Sequence, residues 1–140
     1  MNDKNIATLL LVDDDEDFIW TFRMQFEKEG FRVVSALDRA TGMKLAETEK
    51  PDLAILDLMM DEVDGGLVMA FQLKKLYPEM PVIMATALSR DTGMYLGTET
   101  REDRSWVRAD KVLNKPVRFE QMLKEVRLLL GMDTHVENAH

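Results

Sequence analysis

Pro51-Asp52-Leu53-Ala54-Ile55-Leu56-Asp57 is the stretch on which the fold turns. Pro51 ends any helix before it, because it lacks an N–H and its ring clashes with the preceding turn. The apolar run Leu53 to Leu56 is too short for a helix and has no polar interruption, which suits a strand buried on both faces. Asp57 then closes the run with a charge. A strand covered on both faces needs helices on both faces, and that is the layering of an α/β sandwich with a parallel sheet.

The rest of the chain repeats this alternation. Ile6 to Val12 is an apolar run that stops at acids and reads as a strand. Phe18, Ile19, Phe22 and Phe26 share a helical face, with Asp15 as a natural cap and Gly30 where the helix should stop. Phe31 to Ala36 is a second strand. Asp38 can cap a helix running from Arg39 to about Thr48. After Asp57, the turn Asp64-Gly65-Gly66 leads into a helix with Leu67, Ala70, Phe71, Leu73 and Leu76 apolar, ending before Pro78. Val82 to Ala85 and Lys111 to Asn114 are strands. Phe119, Met122, Leu123, Val126, Leu129 and Leu130 mark the last helix, which Gly131 ends. Five parallel strands with about five helices are expected, with right-handed crossovers. One domain over residues 1–132 is expected, followed by a flexible tail over 133–140.

Composition narrows the chemistry. The 140 residues carry 18 basic and 26 acidic side chains, a formal net charge of -8, which argues against direct nucleic-acid binding. With no cysteine, disulfide frameworks, cysteine–zinc sites and thiol nucleophiles are excluded. The only histidines, His135 and His140, stand at the C-terminus, so neither a histidine-based catalytic core nor an internal phosphohistidine is expected. The longest apolar run, Ile6 to Val12, is far short of a membrane span and lacks the features of a signal peptide, so a cytoplasmic protein without a membrane partner is expected.

In a parallel α/β sheet the working residues sit beyond the carboxyl ends of the strands. Those ends carry Asp13 and Asp14, then Asp57, then Thr86, then Lys115. Carboxylates held close together repel unless a proton or a cation intervenes. Oxygen ligands of this kind suit Mg2+. A lysine and a hydroxyl beside such a cation are what a transferring phosphoryl group needs, with a carboxylate as the nucleophile.

At this point the sequence resembles the receiver domain of two-component response regulators. The matching pieces are Leu10-Leu11-Val12-Asp13-Asp14, Pro51 to Met60 with Asp64-Gly65, Pro81 to Ala85 running into Thr86-Ala87, and Lys115-Pro116. Each is weak alone; all of them in order, over residues 6 to about 130, are specific. The resemblance implies the flavodoxin-like fold with strand order 2-1-3-4-5. It implies Asp57 as phosphoacceptor, Asp14 as a direct Mg2+ ligand, Asp13 as a partner in the metal site, and the Met59 backbone carbonyl as a further ligand. Thr86 would be the switch hydroxyl and Lys115 would contact a phosphoryl oxygen, or pair with Asp57 before phosphorylation. The Lys115–Pro116 bond should be cis. The implied phosphoryl donor is a sensor histidine kinase or a histidine phosphotransfer protein, and a downstream protein would read the state. Such a domain is not a conventional enzyme, although it promotes its own phosphorylation. Apolar Met59 and Leu88, two after the acceptor and two after the threonine, imply slow dephosphorylation.

Taken singly, these residues have plainer readings. Asp15, Glu16 and Asp17 suit a helix N-terminus, Thr86 a strand end and Lys115 a protein surface. A calcium loop starting at Asp13 fails, because Phe18 stands where its glycine is needed and Met24 where its glutamate is needed. A haloacid-dehalogenase phosphatase would need an acid at Met59.

The sequence also departs from the family. Asp61 replaces the usual proline of the acceptor loop. Val112 replaces the aromatic switch residue. Thr86 and Lys115 are further apart than usual, which implies an insertion at about 89–109. That stretch contains Tyr95, Trp106, Arg101, Arg104 and Arg108 and is a candidate partner surface with Trp106 as anchor, while Tyr95, Trp106 and the face of the last helix are candidate homodimer contacts. A receiver-like interaction module that signals without phosphorylation is therefore the second reading.

Overall fold

The computed structural model describes residues 6–58, 65–87 and 109–132. Within them the chain runs β1 (Thr8–Val12), α1 (Glu16–Lys28), β2 (Arg32–Ala36), α2 (Arg39–Glu49), β3 (Leu53–Leu56), α3 (Gly65–Leu76), β4 (Val82–Thr86), β5 (Lys111–Asn114) and α4 (Phe119–Leu129). All strand pairs are parallel, in the order β2-β1-β3-β4-β5. The expected fold is the observed one, with four helices among the described residues. Residues 89–108 of the expected insertion, and the expected tail 133–140, lie outside them.

The strands read as unbroken apolar runs because successive side chains enter different layers. Leu9, Leu11, Leu53, Ile55, Ile83, Ala85 and Leu113 pack with Ile19, Phe22 and Phe26 of α1 and Met122 and Val126 of α4. Leu10, Val12, Ala54, Leu56, Val82 and Met84 pack with Ala46 of α2 and Met69, Ala70 and Leu73 of α3. Phe22 and Phe26 both meet Phe119, with ring centroids 6.1 and 4.9 Å apart, and these contacts lock α1 to α4. Phe71 and Leu76, apolar by sequence, are partly exposed on the outer side of α3.

Helix ends follow local chemistry. Asp15 accepts hydrogen bonds from the N–H groups of Asp17 and Phe18, and Asp38 accepts one from Thr41. Those caps satisfy donors that a helix start leaves unpaired. Gly30 takes a φ of 100°, a left-handed conformation that suits glycine, where the chain turns from α1 into β2. Asp15→Ala is expected to lower stability by about 1 kcal/mol. Chemical denaturation measures it, and an unchanged midpoint would contradict the capping role.

The topology positions the rim. From β1 the chain crosses to β2 on one side, and β3 lies on the other side of β1. The chain therefore goes from β1 to one edge of the sheet and from β3 to β4 toward the other, and the ends of β1 and β3 mark the point where the direction reverses.

Candidate functional site

Register brings the acids together. Val12 and Leu56 are paired in the β1–β3 ladder, so Asp13 and Asp57 each stand one residue beyond the last rung. The Asp57 N–H donates to the Val12 carbonyl at 3.0 Å, which ties the two strand ends. Asp14 follows directly, and carboxylate oxygens of Asp13, Asp14 and Asp57 all lie within 4.8 Å of one another. Asp13 and Asp57 are buried while Asp14 is exposed, so the cluster has a closed side and an open side.

A cation already reaches this cluster. Lys115, at the end of β5, donates from Nζ to Asp13 Oδ2 at 2.7 Å. The two residues are 102 positions apart and meet because the Lys115 N–H donates to the Thr86 carbonyl at 2.8 Å, seating the strand end. The Lys115–Pro116 peptide bond is cis. Asp13 Oδ1 also accepts the Asp15 N–H at 2.9 Å. Burial nevertheless pushes the Asp13 carboxyl above its ordinary pKa. The hydrogen bonds from Lys115 and the Asp15 N–H pull against that rise, as does the charge of Lys115, while the neighbouring Asp14 charge adds to it.

Thr86 closes the rim from β4. Its side chain is wholly buried, and its Oγ1 has no hydrogen-bond partner among the described residues. Leaving a buried hydroxyl unpaired costs about 1–3 kcal/mol. Val112, the residue at the usual aromatic position, is half-buried against the α2–α3 side of the core and pairs in register with Met84.

All the rim residues with described positions, Asp13, Asp14, Asp57, Thr86 and Lys115, therefore meet at one end of the sheet. Met59 and Leu88 lie outside the described residues. The donor set fits a hard divalent cation: three carboxylates lie in reach of one ion, and two of them are buried.

One residue of this site is not evident from the sequence. Gly66 has a backbone N–H that donates to the Leu58 carbonyl at 2.7 Å. A Cβ there would lie 2.2 Å from the Asp57 carbonyl oxygen and 2.6 Å from Leu58 Cα. Sequence patterning marks Gly65-Gly66 only as a turn, since close approach between a helix start and a strand end leaves no periodic signal.

Comparison with known proteins bears on the family and the fold. A family model described as response regulator receiver domain matches residues 9–127. The alkaline phosphatase synthesis transcriptional regulatory protein PhoP of Bacillus subtilis is 32% identical over 122 residues, covering 87% of this chain and 48% of that protein. The DNA-binding dual master transcriptional regulator RpaA of Synechocystis is 33% identical over 132 residues, covering 94% of this chain and 52% of that protein. The chain thus spans about half the length of these relatives. Among solved structures, a CheY-like response regulator receiver domain protein from Methanospirillum hungatei superposes with a TM-score of 0.76 at 25% identity, covering 91% of this chain and 95% of that one. The response regulator protein TrrA of Thermotoga maritima, solved in complex with Mg2+ and BeF, gives a TM-score of 0.72 at 25% identity, covering 89% and 99%. Among the described residues, no helix is long and apolar enough to cross a membrane.

Proposed function

The chain belongs to the response regulator receiver domain family of two-component signalling, and from that premise we propose that it is a switch that accepts a phosphoryl group from a phosphohistidine onto Asp57. The observation that carries this reading is the convergence of three carboxylates on the strand-end cleft, with Lys115 and a buried, unpartnered Thr86 hydroxyl beside them.

An Asp57 carboxylate oxygen attacks phosphorus, the P–N bond of the donor breaks, and the departing imidazole nitrogen takes a proton from solvent. The product is an acyl phosphate. Asp13, Asp14 and Asp57, with the backbone carbonyl of Met59, would hold Mg2+. When bound, Mg2+ supplies positive charge against the phosphoryl oxygens and against the clustered carboxylates. Lys115 gives up its bond to Asp13 and contacts a phosphoryl oxygen. The Thr86 hydroxyl donates to another oxygen, which supplies the partner it lacks. Val112 cannot swing an aromatic ring to follow Thr86, so the signal leaves by another route.

The donor is a sensor histidine kinase or a histidine phosphotransfer protein, and a downstream protein reads the phosphorylated surface. Residues 1–132 form the receiver domain in this reading, with an insertion at 89–109 as a candidate partner surface and 133–140 as a tail. Slow dephosphorylation follows from apolar Met59 and Leu88. The net charge of -8 argues against nucleic-acid contact by this chain, whatever the remaining halves of the named transcriptional regulators do.

Treatment with acetyl phosphate and Mg2+ is expected to add the mass of one phosphoryl group to the intact chain and none to Asp57→Ala. No mass gain in the unmodified chain would favour a receiver-like interaction module that signals without phosphorylation, the reading that Val112 supports.

A further inference from the structure

The Lys115 ammonium has a second partner on α1. Its Nζ lies 4.3 Å from the centroid of the Phe18 ring while it holds Asp13 Oδ2 at 2.7 Å. The cation thus sits between a carboxylate and an aromatic face, on a side chain that is only 18% exposed. Attraction between a cation and a ring face strengthens as water is excluded. The ring is itself held in place. Phe18 stacks on Phe22 at 4.4 Å, and Phe22 packs on Phe119 of α4. Phe18, Lys115, Pro116 and Ala87 line one recess beside the strand-end cleft, with a volume of about 470 Å³.

Asp13 faces two demands in the reading above. It is the carboxylate that anchors Lys115, and it is one of the three carboxylates in reach of a divalent ion. A divalent ion engaged by Asp13 repels the ammonium and weakens its anchor. A lysine is a strongly hydrated charge on a flexible stem, and once released it turns outward to water. A ring face does not compete for the ion's oxygen ligands and leaves the ammonium charge intact.

We propose that Phe18 is a positioning residue for Lys115: its ring keeps the ammonium at the strand-end rim when a divalent cation engages Asp13, so that Lys115 stays within reach of the phosphoryl oxygens. This deepens the phosphoacceptor reading and rests on it.

Two measurements on the full chain test it. The first is the ring-current shift of the Lys115 ε-methylene protons, assigned by their loss in Lys115→Met and recorded with Mg2+. An upfield shift is expected in the unmodified chain and in Phe18→Tyr, and its loss in Phe18→Leu and Phe18→Met. The second is the rate of phosphorylation by acetyl phosphate at saturating Mg2+. It is expected to fall about three- to tenfold in Phe18→Leu, to recover in Phe18→Tyr, and to show no further effect of Phe18→Leu in the Lys115→Met background. A Lys115 shift that survives both aliphatic substitutions overturns the proposal. So does an equal rate loss from Phe18→Leu with and without Lys115, since that marks a packing role. The proton shift needs no phosphoryl transfer, so it judges Phe18 even if Asp57 takes no phosphoryl group, a result that would count against the parent reading alone.

Discussion

Gly66→Ala is expected to slow phosphorylation by acetyl phosphate about tenfold to hundredfold while leaving the chain folded. The added Cβ would stand 2.2 Å from the Asp57 carbonyl oxygen and 2.8 Å from the Asp57 carbonyl carbon. Both are backbone atoms at the end of a central strand, so no flexible side chain can give way. Ordinary contact requires a separation of the order of an ångström more, and a nucleophile displaced by about 1 Å can lose a hundredfold in rate. Two effects oppose each other in stability. Alanine is better than glycine within a helix by about 1 kcal/mol, and overpacking of a tight core costs about 1–3 kcal/mol. The clash should win, because β3 is paired on both sides and cannot retreat. Urea denaturation and the acetyl phosphate rate measure the two effects separately. A Gly66→Ala chain that reacts at the unmodified rate would show that Asp57 does not depend on this close approach.

Lys115→Met is expected to act on both stability and rate. In the metal-free chain it leaves the Asp13 carboxylate, 1% exposed, without its cation. Breaking a buried pair from one side costs about 3 kcal/mol, and the raised pKa of Asp13 limits the loss because the group can take a proton. A ligand bound only by the folded state stabilises it by about 2.7 kcal/mol at a hundredfold excess over its Kd. Mg2+ should therefore raise the melting temperature more in Lys115→Met than in the unmodified chain, since it replaces the missing counter-charge. It cannot replace the lysine's contact with the phosphoryl group, so the acetyl phosphate rate at saturating Mg2+ should remain about a hundredfold down. Equal stabilisation of both proteins by Mg2+ would contradict the shared role of Asp13.

Much of the fold is legible in the sequence because burial on both faces turns strands into short apolar runs. Leu53 to Leu56 lies between Pro51-Asp52 and Asp57, and Val82 to Ala85 between Pro81 and Thr86. Boundaries shift by one or two residues where pairing extends or stops short of the apolar run. Ile6 is half exposed and β1 begins at Thr8, while β4 continues through Thr86, which pairs with Asn114. That extension buries the Thr86 hydroxyl, and an isolated strand-end threonine gives no hint of it. The outward positions of Phe71 and Leu76 are equally invisible, because apolar periodicity marks a stripe wider than the face that α3 buries.

The sequence by itself determined the strands, their parallel arrangement, the acids at the ends of β1 and β3, and kinship with the receiver domains. All of these follow from local patterning and from residue order along the chain. Only the tertiary structure decided which charges meet. Lys115 pairs with Asp13 and covers the face of Phe18, and Gly66 presses on the backbone of Asp57. Pairings across 102 positions depend on register between strands. The stress on Asp13 depends on how far water is excluded from its carboxylate. Local sequence specifies neither of these, because both arise only when the sheet closes against its helices.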